Sequence, residues 1–433
     1  MDRRACVIGS ALQLCQRPLP LRTERPPIVA SLRILFVNQY FPPDASATAY
    51  LLGELAEDLA DRHEVWVVAG RPSYNPDVST FRPRGVHLAR TWSTTFARAG
   101  LLARAANYST FLATALVRSM RGPRPDVVVA MTDPPFIGLI GLLSARRYHV
   151  PFVYVCMDIF PDVGVALGHV DNPVVVKLWR LLNRVLRNGA ARVIAIGRDM
   201  AEKLEAEGVP AAKIAFLPNW GNEPSHHRHV DAVREQMGWH GKQVIMHAGN
   251  MGLAQNLEIV LDAAERLRYE APEVQFVFMG DGAARARLMD EAQRRMLVNV
   301  MFLDYRPKED AESTIAAANL HLISLAPGLK GAAVPSKVYG VLAAGLPFIA
   351  VVDEDSEIDR IIQDYGCGLQ VEPADSEHLV KSILAAAEQD LREMGARSRL
   401  AFDERYSRPI ATAGYRDMLE SVADMCPERR DLD

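Results

Sequence analysis

Short runs that are apolar at nearly every position recur along the chain. Between them, apolar residues return every three or four positions. The first series is Arg33 to Val37 (RILFV), Glu64 to Val68, Asp126 to Ala130 (DVVVA), Phe152 to Val155, Arg192 to Ile196 and Lys213 to Leu217. Strands apolar on both faces belong inside a sheet that is covered on both sides. The intervening stretches carry helical stripes, such as Leu51, Leu52, Leu55 and Leu59. Strands alternating with helices predict a parallel, doubly wound α/β domain.

The pattern then stops and restarts. Asn219 to Val230 (NWGNEPSHHRHV) has no apolar period and reads as a linker. A second series follows: Gln243 to Ala248, Val274 to Met279, Val300 to Leu303, Leu320 to Ser324, Pro347 to Val352 and Gly368 to Val371. Each half opens with a strand, a Gly- or Pro-bearing loop and an amphipathic helix. The expected architecture is two facing Rossmann-like doubly wound domains, residues 32–222 and 223–407. Residues 408–433 are expected to form a helix packing back on the first domain, with a frayed end. Open parallel sheets bind ligands beyond the carboxyl ends of their strands. Two such edges in apposition predict a deep cleft.

Composition narrows the class. The 433 residues, 49% hydrophobic and 24% charged, suit two soluble domains. A formal net charge of −4 argues against general affinity for nucleic acid. The five cysteines, Cys6, Cys15, Cys156, Cys367 and Cys426, are scattered and form no CxxC pair. They fit neither a disulfide framework nor a zinc site, and a cytoplasmic location is expected. No apolar run is long enough to span a membrane. Residues 1–31, with Arg3 and Arg4 before a broken apolar run, read as a disordered extension or the product of an upstream start codon rather than an export signal.

Anion-site signals lie in the second half. HAGNMG (His247 to Gly252) and MGDG (Met279 to Gly282) follow its first two strands. Small residues there let backbone N–H groups approach a phosphate. Neither matches GxGxxG, which disfavours a dinucleotide oxidoreductase. In VPSKVYGVLAAGLP, Pro335 suits a first helical position and Ser336 and Lys337 a first turn. A lysine there opposes the helix dipole unless an anion binds nearby. The acidic run DEDSEID (Asp353 to Asp359) reads as a solvated loop and helix start, with no metal assigned.

In order along the chain, LRILFVNQYFPPDASATAYLLGELA, DIFPD, LPNWGN, HAGNMG, FMGDG and VPSKVYG…AAGLP resemble family 4 glycosyltransferases of the GT-B fold, in particular the colanic-acid and O-antigen subgroup. The resemblance spans about residues 32–425. It implies transfer with retention from a nucleotide-sugar, UDP- or GDP-linked, held by the second domain without an obligatory metal or other cofactor. It implies that Gly249, Asn250 and Gly252 lie near the donor phosphates, with Asp281 and Gly282 at the next strand end. Backbone groups of Asp304, Tyr305 and Arg306 would cradle the nucleobase, and Ser336 and Lys337, with Pro335 beside them, would contact the diphosphate or sugar. Two carboxylates of many relatives are missing, their positions taken by Ala332 and Gly340. A basic pair is replaced by Ala254 and Gln255. Lys337 thereby becomes the main cation expected for the diphosphate, with Lys330 a possible helper.

In the first half, FPPDAS places Pro43, Asp44 and Ser46 beside the expected cleft, and TDPP brings Asp133 to the same edge. Asp158 is the catalytic candidate, as acceptor-hydroxyl base or stabiliser of oxocarbenium-like charge, and Asp162 a weaker cleft residue. Asp158 could equally be a capping or loop aspartate. The basic amphipathic stretch 96–121 (stripe Leu101, Ala105, Tyr108, Leu112, Leu116) reads either as a sheet-covering helix or as a peripheral membrane contact at the inner face of the plasma membrane. The acceptor expected is a hydroxyl of a glycan-lipid or a small molecule. A nucleotide-sugar epimerase of the same fold and a non-catalytic sugar-binding protein are the alternatives.

Overall fold

The computed structural model describes residues 31–44, 46–72, 81–94, 101–224 and 229–425, the side chains of 101–105 and 308–309 excepted. The expected extension and Cys6, Cys15 and Cys426 lie outside these residues.

Among the described residues, thirteen strands form two sheets, every pair parallel. The N-terminal sheet contains β1 (Arg33–Val37), β2 (Glu64–Gly70), β3 (Val86–Thr91), β4 (Val127–Ala130), β5 (Phe152–Cys156), β6 (Arg192–Ala195) and β7 (Ile214–Phe216). Its order is β3-β2-β1-β4-β5-β6-β7. The C-terminal sheet contains β8 (Gln243–Ala248), β9 (Val274–Met279), β10 (Val300–Leu303), β11 (Leu320–Ser324), β12 (Phe348–Val351) and β13 (Gly368–Val371), ordered β10-β9-β8-β11-β12-β13. Both orders reverse direction beside their first strand, which opens a crevice at the carboxyl edge. The central strands β1, β4, β5, β8 and β11 are buried almost throughout, as their apolar runs require.

β3 is not among the strands that the apolar runs predict. Its segment, VHLART, carries His87 and Arg90 and lies at the sheet edge with one face partly open. An edge strand needs no continuous apolar run.

The expected linker is partly built into the fold. Asn219 and Trp220 are buried, and Trp220 Nε1 donates to Glu54 at 2.8 Å. Gly221 N donates to Tyr406 O at 2.9 Å. A Cβ on Gly221 would stand 2.4 Å from the Tyr339 carbonyl oxygen, so only glycine lets the chain cross here. Trp220 supplies the apolar anchor that a search for periodicity passes over.

Helix 408–423 returns to the N-terminal lobe. Tyr415, Leu419 and Val422 join that lobe's core, and Arg408 pairs with Asp58 at 2.6 Å. The lobes are clasped on one side. Arg198 donates through N and Nε to the fully buried Glu357, at 2.7 and 3.0 Å. Arg360 forks onto Glu202 at 2.7 and 2.8 Å, and Gly331 N donates to Asp199 at 2.8 Å. Asp353 accepts from Gly328 N and Lys330 N, and Asp359 from Asp355 N. The acidic run therefore serves loop and interlobe structure and is less solvated than its sequence suggests.

Candidate active site

A cavity of about 810 Å³ lies where the two carboxyl edges face each other. Four loops from each lobe reach it.

The first two C-terminal loops stack backbone on backbone. Gly249 N donates to Met279 O and Met251 N to Asp281 O, both at 2.8 Å. Gly280 and Gly282 have φ of +134° and +152°. A Cβ on either would fall 2.2 Å from Gly249 O or 2.5 Å from Met251 O. Glycine is required at both because the neighbouring loop occupies the space of a side chain. Gly249, Asn250, Asp281 and Gly282 line the cavity, and Asp281 accepts from Gly282 N at 2.8 Å. Gly252 lies behind Asn250 and does not line it.

Tyr305, in the loop after β10, also lines the cavity. Its neighbours do not. Asp304 points to solvent and pairs with Arg285 at 2.7 Å. Arg306 turns back to Thr314 Oγ1 and Met237 Sδ. Adjacent loop residues leave the backbone in different directions, and of these three side chains Tyr305 is the one at the cavity.

Pro335, Ser336 and Lys337 line the cavity together. The helix begins at Lys337, not Pro335. Its entry is a tighter turn, with Val338 N donating to Pro335 O and Tyr339 N to Ser336 O. Lys337 Nζ lies 2.9 Å from His247 Nε2, which also stands 3.3 Å from Asn250 O. Burial pulls Lys337 down to about pH 7 in pKa. Burial, and then the Lys337 charge, push His247 well below its usual range. The pair thus holds a cationic site with little water to solvate it. The sequence pattern marks His247 only as the first residue of HAGNMG; its signal is a polar residue late in an otherwise apolar central strand. Lys330 lies elsewhere, 3.6 Å from Asp355.

Lys337 and Ala248 also border a second hollow of about 310 Å³, between helices 308–316 and 337–343. Gly340 opens onto it, and a Cβ there would meet nothing within 4 Å. Ala254 and Gln255 line the main cavity, so apolar and neutral groups occupy the place of the expected basic pair.

From the N-terminal lobe come Ser46, Thr48 and Asp158. Ser46 caps helix 47–60, accepting from Ala49 N at 3.2 Å. Asp158 follows β5, its backbone N donating to Thr132 Oγ1 at 3.2 Å. It forms an antiparallel bridge with Ala333, and Ile159 N donates to Ala332 O at 2.8 Å. The catalytic candidate is thus stitched to the loop that precedes Lys337. Burial, and then the nearby Asp133 carboxylate, raise the pKa of Asp158 to about 7. A carboxyl group tuned to neutrality can exchange a proton with substrate.

The other cleft candidates lie elsewhere. Asp133 does not line the cavity; it sits behind Asp158, hydrogen-bonded to Thr48, and burial raises its pKa. Asp44 is fully buried near Arg90, which donates to Gly70 O at 2.7 Å and Phe41 O at 3.3 Å. Pro43 belongs to this braced loop and does not line the cavity. Asp162 pairs with Arg180 at 2.6 Å and Lys203 at 2.8 Å, which holds its pKa low. It is a structural ion-pair partner, not a cleft residue. Of the stretch 96–121, residues 96–100 and the side chains of 101–105 lie outside the described residues. Leu112 and Leu116 pack against the core, as a sheet-covering helix requires.

Residues 47–220 match the glycosyl transferase 4-like domain, and residues 230–401 match glycosyl transferases group 1. A protein of Pseudomonas aeruginosa named as the glycosyltransferase WbjE is 29% identical over 67% of this chain and 73% of its own. A protein of Escherichia coli (strain K12) named for colanic acid biosynthesis, the glycosyl transferase WcaI, is 27% identical over 82% of this chain and 92% of its own. The crystal structure of Anabaena HepE with UDP and glucose shares the fold, with a TM-score of 0.70 at 18% identity over 90% of this chain and all of that one. Against the epimerase and binding-protein alternatives, the matched domains, the relatives and the paired sheets agree: the chain belongs to the family 4 glycosyltransferases of the GT-B fold, in the group that includes WcaI.

Proposed function

We propose that this enzyme transfers a hexosyl or amino/deoxyhexosyl group from a UDP- or GDP-sugar, with retention, to a hydroxyl of a glycan-lipid or small-molecule acceptor in cell-surface polysaccharide synthesis. The observation that carries the reading is Lys337, buried against His247, sharing one cavity with Asp158 from the opposite lobe. The diphosphate sits beside the two stacked glycine loops, where Gly249, Asn250 and Gly282 line the cavity, and against Nζ of Lys337. Its negative charge raises the lysine's affinity for a proton and removes the penalty of burying the ammonium. The sugar then extends toward Asp158.

The acceptor oxygen bonds to the anomeric carbon as the carbon–oxygen bond to phosphate breaks. On the retained face the departing phosphate takes the hydroxyl proton. Asp158 stabilises positive charge on the sugar ring when ionised and carries a proton at neutral pH when not. No step requires a metal. HepE was crystallised with UDP and with UDP-glucose, and the colanic-acid relative is named for polysaccharide synthesis; both support this choice of substrates. The buried thiols Cys156 and Cys367 suit a cytoplasmic setting.

A thermal-shift panel of UDP-, GDP-, ADP- and TDP-sugars tests the donor. A ligand at 100 times its dissociation constant adds about 2.7 kcal/mol of stability. One base class should shift the melting temperature in the wild type and much less in Lys337→Ala. No shift with any nucleotide-sugar rejects the donor site.

A further inference from the structure

The hollow of about 310 Å³ lies beside the C-terminal sheet, between helices 308–316 and 337–343. Lys337 and Ala248 line both this hollow and the main cavity, so a diphosphate held at Lys337 Nζ stands at its mouth. The volume is at the lower end of ligand pockets and suits the nucleoside part of a nucleotide-sugar. Gly340 keeps the space open. It sits inside helix 337–343 without a positive φ, and a Cβ there would meet nothing within 4 Å. A glycine inside a helix is a cost that no crowding explains here; any longer side chain would enter the hollow.

The lining chemistry is specific. Ile315 from one helix, Val341 from the other and Leu322 from β11 offer aliphatic surface to a flat ring. Glu312 and His321 supply acceptors. His321 is buried, and its Nε2 lies 3.0 Å from Ile315 O. A carbonyl oxygen only accepts, so the proton is on Nε2 and Nδ1 carries a lone pair. Burial lowers the pKa of this ring to about 4 and keeps it neutral. Of the described side chains on the wall, the donors have other work. Lys337 faces the diphosphate, and Asn222 Nδ2 donates to Glu54 at 2.5 Å.

Nucleobases differ in what they present to such a wall. Guanine offers two adjacent donors, N1–H and the 2-amino group, which fit one carboxylate as a bidentate pair. Uracil offers a single N–H between two carbonyl oxygens, and a carboxylate facing it repels both. We infer that this hollow receives the donor's base and that Glu312 selects guanine, making the substrate a GDP-sugar rather than a UDP-sugar; this rests on the diphosphate site proposed above. A carboxylate has lone pairs enough to read a base while keeping other contacts. His321 adds a neutral acceptor, which likewise favours the base richer in donors.

Titration calorimetry on the full-length chain with GDP, UDP, inosine diphosphate and inorganic pyrophosphate tests the assignment. The wild type should bind GDP about tenfold or more tightly than UDP. Inosine diphosphate, which lacks the 2-amino group, should bind about tenfold more weakly than GDP. Glu312→Gln should weaken GDP by about tenfold to a hundredfold and leave UDP and pyrophosphate within about twofold. Glu312 is only half-buried, so the fold should persist. Gly340→Leu, which fills the hollow, should keep the melting temperature and the pyrophosphate affinity while removing the advantage of GDP over pyrophosphate. UDP bound by the wild type as tightly as GDP, or GDP affinity unchanged in Glu312→Gln, would overturn the base assignment and leave the donor site standing. A wild type that binds neither nucleotide nor pyrophosphate would reject the donor site itself, and this assignment with it.

Discussion

Proton uptake on donor binding is the sharpest consequence of the Lys337 site. Burial holds this ammonium at a pKa of about 7, whereas a solvated lysine titrates near ~10.4. At pH 8 only about one free molecule in ten carries the proton. A diphosphate against Nζ restores the ordinary range, so binding should take up about 0.9 proton at pH 8 and about 0.5 at pH 7. The protonated form is the one that binds, and affinity must fall as pH rises through the free pKa. From pH 7 to pH 9 the dissociation constant should rise roughly 50-fold, or about 2.3 kcal/mol. The donor's own diphosphate ester stays ionised across this window, and His247 is neutral throughout because its pKa lies well below the usual value. Titration calorimetry in two buffers of different ionisation enthalpy reads the uptake directly. Lys337→Met, which keeps the volume of the stem, should abolish both the uptake and the pH slope. Wild-type binding at pH 8 with no proton exchanged, or with the same pH slope as Lys337→Met, would refute the site.

Two further outcomes follow from buried charge. Asp158→Asn should lower kcat by about 10²–10³ and leave donor affinity near wild type. Its folded pKa is raised to about 7, so the wild type loses stability as pH climbs through that value, whereas an amide does not titrate. The variant should therefore melt higher than wild type at pH 8, by about 1–3 kcal/mol, with the gap closing toward pH 4. A melting difference that ignores pH would show that Asp158 is solvated. Arg198→Met should cost about 3–5 kcal/mol in chemical denaturation, because Glu357 would stay buried without its cation; Arg198→Met/Glu357→Met should recover most of that loss.

The two sheets were legible because buried parallel strands write themselves as unbroken apolar runs. β3 was not, since its edge position tolerates His87 and Arg90. The loops that reach the cavity were also legible, because glycines and a proline mark the ends of strands. The direction of each loop side chain was not. Asp304, Tyr305 and Arg306 are consecutive, yet one meets solvent, one the cavity and one Thr314. Pairing across the fold hid other roles: Asp162 reads as a free carboxylate until Arg180 and Lys203 close on it.

Helix 408–423 carries a consequence for how the protein is made. Tyr415, Leu419 and Val422 complete the core of the N-terminal lobe, and Arg408 and Glu420 reach Asp58 and His63. Synthesis proceeds from the N-terminus, so the ribosome finishes the first lobe's sheet and then the whole second lobe before this helix emerges. Throughout that interval the nascent first lobe holds an unfilled apolar seat, with Trp220, the edge-on partner of Tyr415, beside it. Translation speed through the second lobe sets how long that seat is open to chaperones or to another nascent chain.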